Sequence, residues 1–327
     1  LEELAKMKNS AEQDEETVRL RWKLILLLPR LLLRCTPVDG TAGKEEYSAR
    51  YQSFLRGQWD TLTEESRKQA STRKTKKGAD EEQRKRRACY LVTLGELSRA
   101  RQTLMASALA PGTPETLDAL TKPERRPREP LEPLPEEVQE YEPAQKITLK
   151  KKLFLETLRK APRGSAASLT GLRFEHVRVC LDNEESTDLL YAMAQKVARA
   201  EVPQEAATVL RTGSLVALQK PDGGVRGIVV GDTLRRLVAK TLAKQYCKDF
   251  DKACAPFQFA LSTRAGTECV AHALRAATEL DTERTVGSVD GIGAYDLMRR
   301  RAMLTKLKNT PRACAVLPFV RMSYGQP

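Results

Sequence analysis

Histidine is nearly missing from this 327-residue chain, which holds only His176 and His272. A Ser-His-Asp hydrolase or a zinc enzyme built on imidazoles therefore has almost nothing to draw on. The nearest metal-like pairings are His176 with Cys180 and Cys269 with His272, and neither has a second pair at finger spacing, so they read as buried or incidental residues. Seven cysteines, an odd number at irregular spacing, fit reduced thiols better than a disulfide framework. A phosphate loop of the Gly-x4-Gly-Lys-Ser/Thr kind is missing too, because Gly40–Glu45 has neither the spacing nor the hydroxyl. No apolar run is long enough for a bilayer: the stretch from Trp22 to Leu33 is broken by Lys23, Pro29 and Arg30. It reads as a buried helix pair or a partner-binding surface. The charged segment Glu12–Glu16 ahead of it and the lack of a small-residue cleavage pattern argue against a secretory signal. The expectation is a nuclear or cytoplasmic protein with no membrane partner.

Positive charge is present in excess and unevenly placed. The chain has 56 Lys and Arg against 43 Asp and Glu, a formal net charge of +13. Residues 1–147 are close to balanced, with 27 basic and 25 acidic side chains, whereas residues 148–327 carry 29 and 18. A phosphate-binding surface in the second part would produce that imbalance, and so would a part that is basic for solubility.

The first part divides into segments. Residues 1–66 read as a helical accessory region. Residues 67–87 form a basic connector with ten Lys and Arg, suited to nuclear import, to a nucleic-acid arm or to a charged tether. Residues 88–110 read as a helix or helix pair around Gly95. Residues 111–147 read as an extended linker, since eight of the chain's 17 prolines fall between Pro111 and Pro143.

Three constellations carry chemistry in the second part. Gly213–Val230 reads as two short apolar strands joined by Pro221-Asp222-Gly223-Gly224. Lys220 and Arg226 stand three residues either side of Gly223, so a tight turn sets a point charge and a planar guanidinium near each other, a pair suited to a triphosphate. The alternative is a solvated turn with ordinary flanking charges. From Thr233 to about Phe250 the apolar residues recur at helical spacing, with Asp232 placed to cap the first turn. Arg236, Lys240, Lys244 and Lys248 then form an i, i+4 row that a nucleic-acid backbone would neutralise, or that is a solvated face. Finally, Thr285–Asp290 is a short strand pattern delivering an aspartate, followed by Gly291-Ile292-Gly293-Ala294-Tyr295-Asp296. An Asp at a strand end is a hard oxygen ligand for Mg²⁺, although most such residues cap turns or helices.

Taken in order, these segments resemble the reverse transcriptase family, specifically the LINE-type enzymes of non-LTR retrotransposons. The resemblance runs over about residues 148–327. Ala161–Leu172 is similar to the family's small-residue loop, with a helix expected over Arg173–Leu181. Leu234–Lys240 is similar to the helix behind the fingers hairpin, and Pro256–Ala260 with Gly266–Glu268 to the stretch leading into the palm.

The resemblance implies an RNA-directed DNA polymerase acting by two-metal nucleotidyl transfer on an RNA template, a DNA primer and dNTPs. It places the catalytic, Mg²⁺-binding carboxylate at Asp290, the aromatic under the incoming sugar at Tyr295, and the triphosphate-facing cations at Lys220 and Arg226. Asp296 is read as capping a helix that begins at Leu297. The implied fold is α+β, a partial polymerase right hand (fingers and incomplete palm) preceded by a helical region and a proline-rich linker.

Two departures matter. The family often has Arg-Pro-Ile where this chain has Arg226-Gly227-Ile228, which keeps the cation but frees the strand. The family also completes its metal site with an Asp-Asp pair, and no such dipeptide occurs here. The remaining segments read as helices over Leu297–Asn309 and from Pro311 to about Ser323. The sequence by itself is therefore expected to be a fragment without polymerase activity, and the alternative is a non-catalytic nucleic-acid-binding remnant of such an element.

Overall fold

The computed structural model describes residues 14–33, 41–71, 79–106, 108–122, 132–221, 223–261, 263–289 and 297–325. Within them the protein is mostly helical with a small two-stranded sheet.

Helix α1 (Glu15–Leu32) starts where the sequence says it should. The Asp14 carboxylate accepts the Thr17 amide at 3.0 Å, and Glu15 and Glu16 sit at the positive end of the helix dipole. The helix continues through Pro29 to Leu32 as one element, not the pair of helices considered from the sequence. Next come α2 (Thr41–Leu55), α3 (Trp59–Ser71), α4 (Ala79–Thr93) and α5 (Leu97–Met105). The turn between α4 and α5 falls at Gly95, whose φ of 76° lies in the left-handed region that a glycine enters without strain. Helix α6 (Pro114–Thr121) begins on a proline, which loses no helical hydrogen bond there.

The stretch read as a linker ends with the single turn α7 (Glu136–Gln139), and the second part opens with α8 (Lys151–Arg159) and α9 (Phe174–Arg178), with a 3₁₀ turn over Val179–Asp182. The helix expected over Arg173–Leu181 is therefore split, and Asn183 restarts it as α10 (Glu184–Ala198) by accepting the Ser186 amide at 2.9 Å. After α11 (Gln204–Arg211) the chain forms β1 (Ser214–Gln219) and β2 (Val225–Val230), then α12 (Thr233–Gln245), α13 (Cys247–Cys254), α14 (Gly266–Leu280), α15 (Arg300–Lys308) and α16 (Leu317–Tyr324).

One apolar cluster joins these segments. Phe154, Leu158, Leu210, Leu237 and Leu317 are buried in it, and so is Trp22 of α1, at 1 % exposure. Val138 and Ile147, from the stretch read as a linker, lie in the same cluster. Periodicity showed that α1 had an apolar face; it did not show that the face would close the core of the second part.

Two expectations from the sequence are corrected. The helix starting at Thr233 does not run to Phe250. It ends at Gln245, with Tyr246 at φ −106°, ψ 10°, and α13 starts at Cys247. The strand pattern over Thr285–Val289 forms no strand: those residues have no regular structure, and Val289 is 97 % exposed. A strand needs neighbours for its backbone groups, and the sheet among the described residues is only the β1–β2 hairpin.

Candidate nucleotide and nucleic-acid interface

The hairpin forms as its turn chemistry predicts. β1 and β2 pair antiparallel with Leu218 opposite Arg226 and Gln219 opposite Val225. The Lys220 amide donates to the Gly224 carbonyl at 2.7 Å, and Gly223 takes φ 79°. Strand alternation then places Lys220, Leu218 and Arg226 on one face, with the two cations offset by two positions. Neither cationic side chain has a partner among the described residues.

The other face is only partly covered. Helix α6 packs on β2 at Gly227, where an added Cβ would stand 3.2 Å from Leu120 Cδ2 and 3.3 Å from Leu215 Cδ1, whereas Leu215 and Val229 remain exposed. Glycine at this position thus lets α6 approach closely. The far edge of β1 is occupied by residues 108–110: Gln219 donates its amide to Ala108 at 2.8 Å, and Ala110 donates to Ala217 at 3.0 Å. The hairpin is held at one edge and around Gly227, and on the cationic face Arg226 and Ile228 are exposed.

Asp232 ties the end of β2 to the small-residue loop. Its Oδ1 accepts the Leu234 amide at 2.8 Å, which caps α12, while Oδ2 accepts the hydroxyls of Thr170 at 2.7 Å and Ser168 at 3.2 Å. Thr233 Oγ1 adds a bond to the Leu172 carbonyl at 2.6 Å. The capping role was readable in the sequence; the grip on the loop was not. The signal that could have shown it is the pair of hydroxyls, Ser168 and Thr170, flanking Leu169 near the end of the loop.

The other half of the loop is gripped by charged side chains. Arg87 of α4 donates to the Gly164 carbonyl at 2.8 Å, Arg99 of α5 to the Arg163 carbonyl, and Arg178 to the Ala161 carbonyl. Glu96 accepts the Arg163 amide at 3.1 Å, and Glu175 accepts the Gly164 amide. Gly164 sits at φ 63° against the Leu91 side chain.

The basic row on α12 is not a uniform surface. The Arg236 guanidinium lies over the Phe174 ring, 5.0 Å from its centroid, and burial holds its pKa below the usual arginine value. Lys244 Nζ donates to Thr157 Oγ1 at 3.1 Å. Both therefore serve packing. Lys240 is exposed and has no partner among the described residues, and the same holds for Lys248, which stands on α13 beyond the break. The helix break and these two internal engagements replace the expected four-cation ridge.

Asp290, Tyr295 and Asp296 lie outside the described residues; the helix expected from Leu297 begins at Arg300, and the one expected from Pro311 begins at Leu317 after a 3₁₀ turn over Ala313–Val316. Among the described residues no three His, Cys, Asp or Glu side chains gather as a metal site. No described helix is long and apolar enough to cross a membrane. No protein-family model, curated protein or solved structure matches the chain.

Proposed function

We propose that residues 148–327 are the fingers and first palm segment of an RNA-directed DNA polymerase of the non-LTR retrotransposon kind. The observation that carries the reading is the hairpin face on which Lys220 and Arg226 stand together with no acidic partner among the described residues, directly ahead of a helix capped by Asp232. In this proposal Lys220 acts as a point charge and Arg226 as a bidentate fork on the triphosphate oxygens of a dNTP. The order of loop, hairpin and capped helix is the order that the resemblance leads one to expect.

Lys240 and Lys248, the uncommitted members of the basic row, are assigned to the template backbone. Asp290 is assigned the Mg²⁺ and Tyr295 the sugar on the resemblance alone. Bound metal would supply charge stabilisation for phosphoryl transfer together with further carboxylates.

The reading is tested by binding of a fluorescent dNTP with Mg²⁺ to the chain and to Lys220→Gln/Arg226→Gln. Loss of roughly two charge-assisted contacts should weaken binding at least about tenfold. Equal binding by the variant would remove the hairpin from the nucleotide site. RNA binding without any dNTP binding would favour a protein that binds nucleic acid and does no chemistry.

A further inference from the structure

Helix α15 begins against the usual rule. Helix N-termini favour acidic residues, because the first-turn amides and the dipole present positive charge, yet α15 opens with Arg299, Arg300 and Arg301 and has no acid in its first turn. Cations there are unfavourable unless an anion stands with them.

Beside this end lies a cavity of about 410 Å³, lined by Glu132, Arg299, Arg301, Thr305, Lys306 and Asn309 together with Ala302. Three cations face one carboxylate, and that carboxylate is engaged by Arg301 at 3.6 Å. Arg299 and Lys306 have no partner among the described residues. The contrast within the same helix is informative: Lys308, on another face, is held by Glu137 at 2.6 Å. Two of the three cavity cations are thus left without a partner among the described residues, where a neighbouring one is matched.

The hydroxyl of Thr305 and the amide of Asn309 add neutral donors along the same face, one helical turn apart. Cationic forks, a point charge and neutral donors around an open concavity match phosphate oxygens, not an apolar ligand.

We propose that this cavity binds phosphates of a nucleic-acid backbone, at a place separate from the hairpin and α12. The backbone identity rests on the polymerase reading.

The test uses the full chain and a fluorescein-labelled RNA–DNA hybrid of about 20 base pairs. Its affinity is measured against salt for wild type, Arg299→Gln/Lys306→Gln, and the charge-matched control Lys146→Gln/Lys160→Gln, whose cations are paired with Glu201 and Glu156. Two lost phosphate contacts should lower the log–log salt slope by about 1.8 and weaken binding on the order of tenfold at about 0.1 M salt. The control should match wild type, and circular dichroism should be the same for all three. An unchanged slope in the Arg299/Lys306 variant, with wild type binding the hybrid, overturns the proposal and leaves the polymerase reading standing. No binding by wild type removes both. Inorganic phosphate added at matched ionic strength separates the sources: if it competes in wild type through these two residues while the hybrid slope is unchanged, the cavity is a free-anion site and the backbone assignment is wrong.

Discussion

Asp232 Oδ2 accepts the Thr170 hydroxyl at 2.7 Å, joining the residue that caps α12 to a loop 62 positions earlier in the chain. The carboxylate is 1 % exposed. A single side chain thus fixes the end of the cationic hairpin, the start of the basic helix and the small-residue loop against one another.

Asp232→Ala removes the helix cap, worth about 1 kcal/mol, and leaves two hydroxyls without their acceptor at about 1 kcal/mol or more each. The expected loss is roughly 3 kcal/mol in urea unfolding. Asp232→Asn keeps an acceptor oxygen and should lose less than half of that. Equal losses in the two variants would show that charge, not hydrogen bonding, holds the loop.

Trp22 tests whether α1 belongs to the core of the second part. Its ring is buried in the cluster with Phe154 and Leu317, while its indole N–H has no partner among the described residues. Trp22→Ala should cost about 3–5 kcal/mol, and Trp22→Phe, which gives up no hydrogen bond, roughly half as much. A loss below about 1 kcal/mol for Trp22→Ala, read by tyrosine fluorescence or circular dichroism, would detach α1 from this core.

Arg236 and Lys244 should behave differently from Lys240 and Lys248 although all four share one sequence spacing. Arg236→Ala removes the contact over Phe174 and should destabilise by about 1–2 kcal/mol. Lys240→Gln and Lys248→Gln should leave stability within about 0.5 kcal/mol and lower the salt slope of single-stranded RNA binding by about 0.7 each. Thermal melts and fluorescence anisotropy on the three variants read both quantities.

Acid should weaken the fold through His176. Burial, with the nearby Arg173 charge, lowers its pKa, and its Nδ1 accepts the Arg173 amide at 3.3 Å. The folded protein thus prefers the neutral ring. Its contribution is complete above the ordinary value near 6.5 and is lost as pH falls from there through the lower folded value. Urea midpoints between about pH 5.5 and 7.5 should fall on the acid side in wild type and flatten in His176→Gln. The same acid-side decline in that variant would assign the effect to another group.

The hairpin and the cap of α12 were legible because their signals are local: a Pro-Asp-Gly-Gly turn between apolar strands, and an Asp before a helical period. The break at Tyr246 was not, because the apolar spacing continues across it to Phe250. The strand expected at Thr285–Val289 shows the converse limit, since β pattern names no partner. Asp232's grip on Ser168 and Thr170, and the fate of Arg236 against Phe174, depend on contacts between distant segments, to which spacing along one element is blind. The cavity beside α15 has a sequence signal in the run Arg299-Arg300-Arg301, but a run along the chain does not say which acidic residues from distant segments stand beside it.

The most direct measurement is primer extension on an RNA template with dNTPs and Mg²⁺, using the natural polypeptide that carries this sequence, its Asp290→Ala variant and Lys220→Gln/Arg226→Gln. The polymerase account predicts extension that Asp290→Ala abolishes and that the hairpin variant slows mainly by weakening dNTP binding. Extension indifferent to Asp290→Ala, or no extension by a folded protein that binds the primed template, would contradict it.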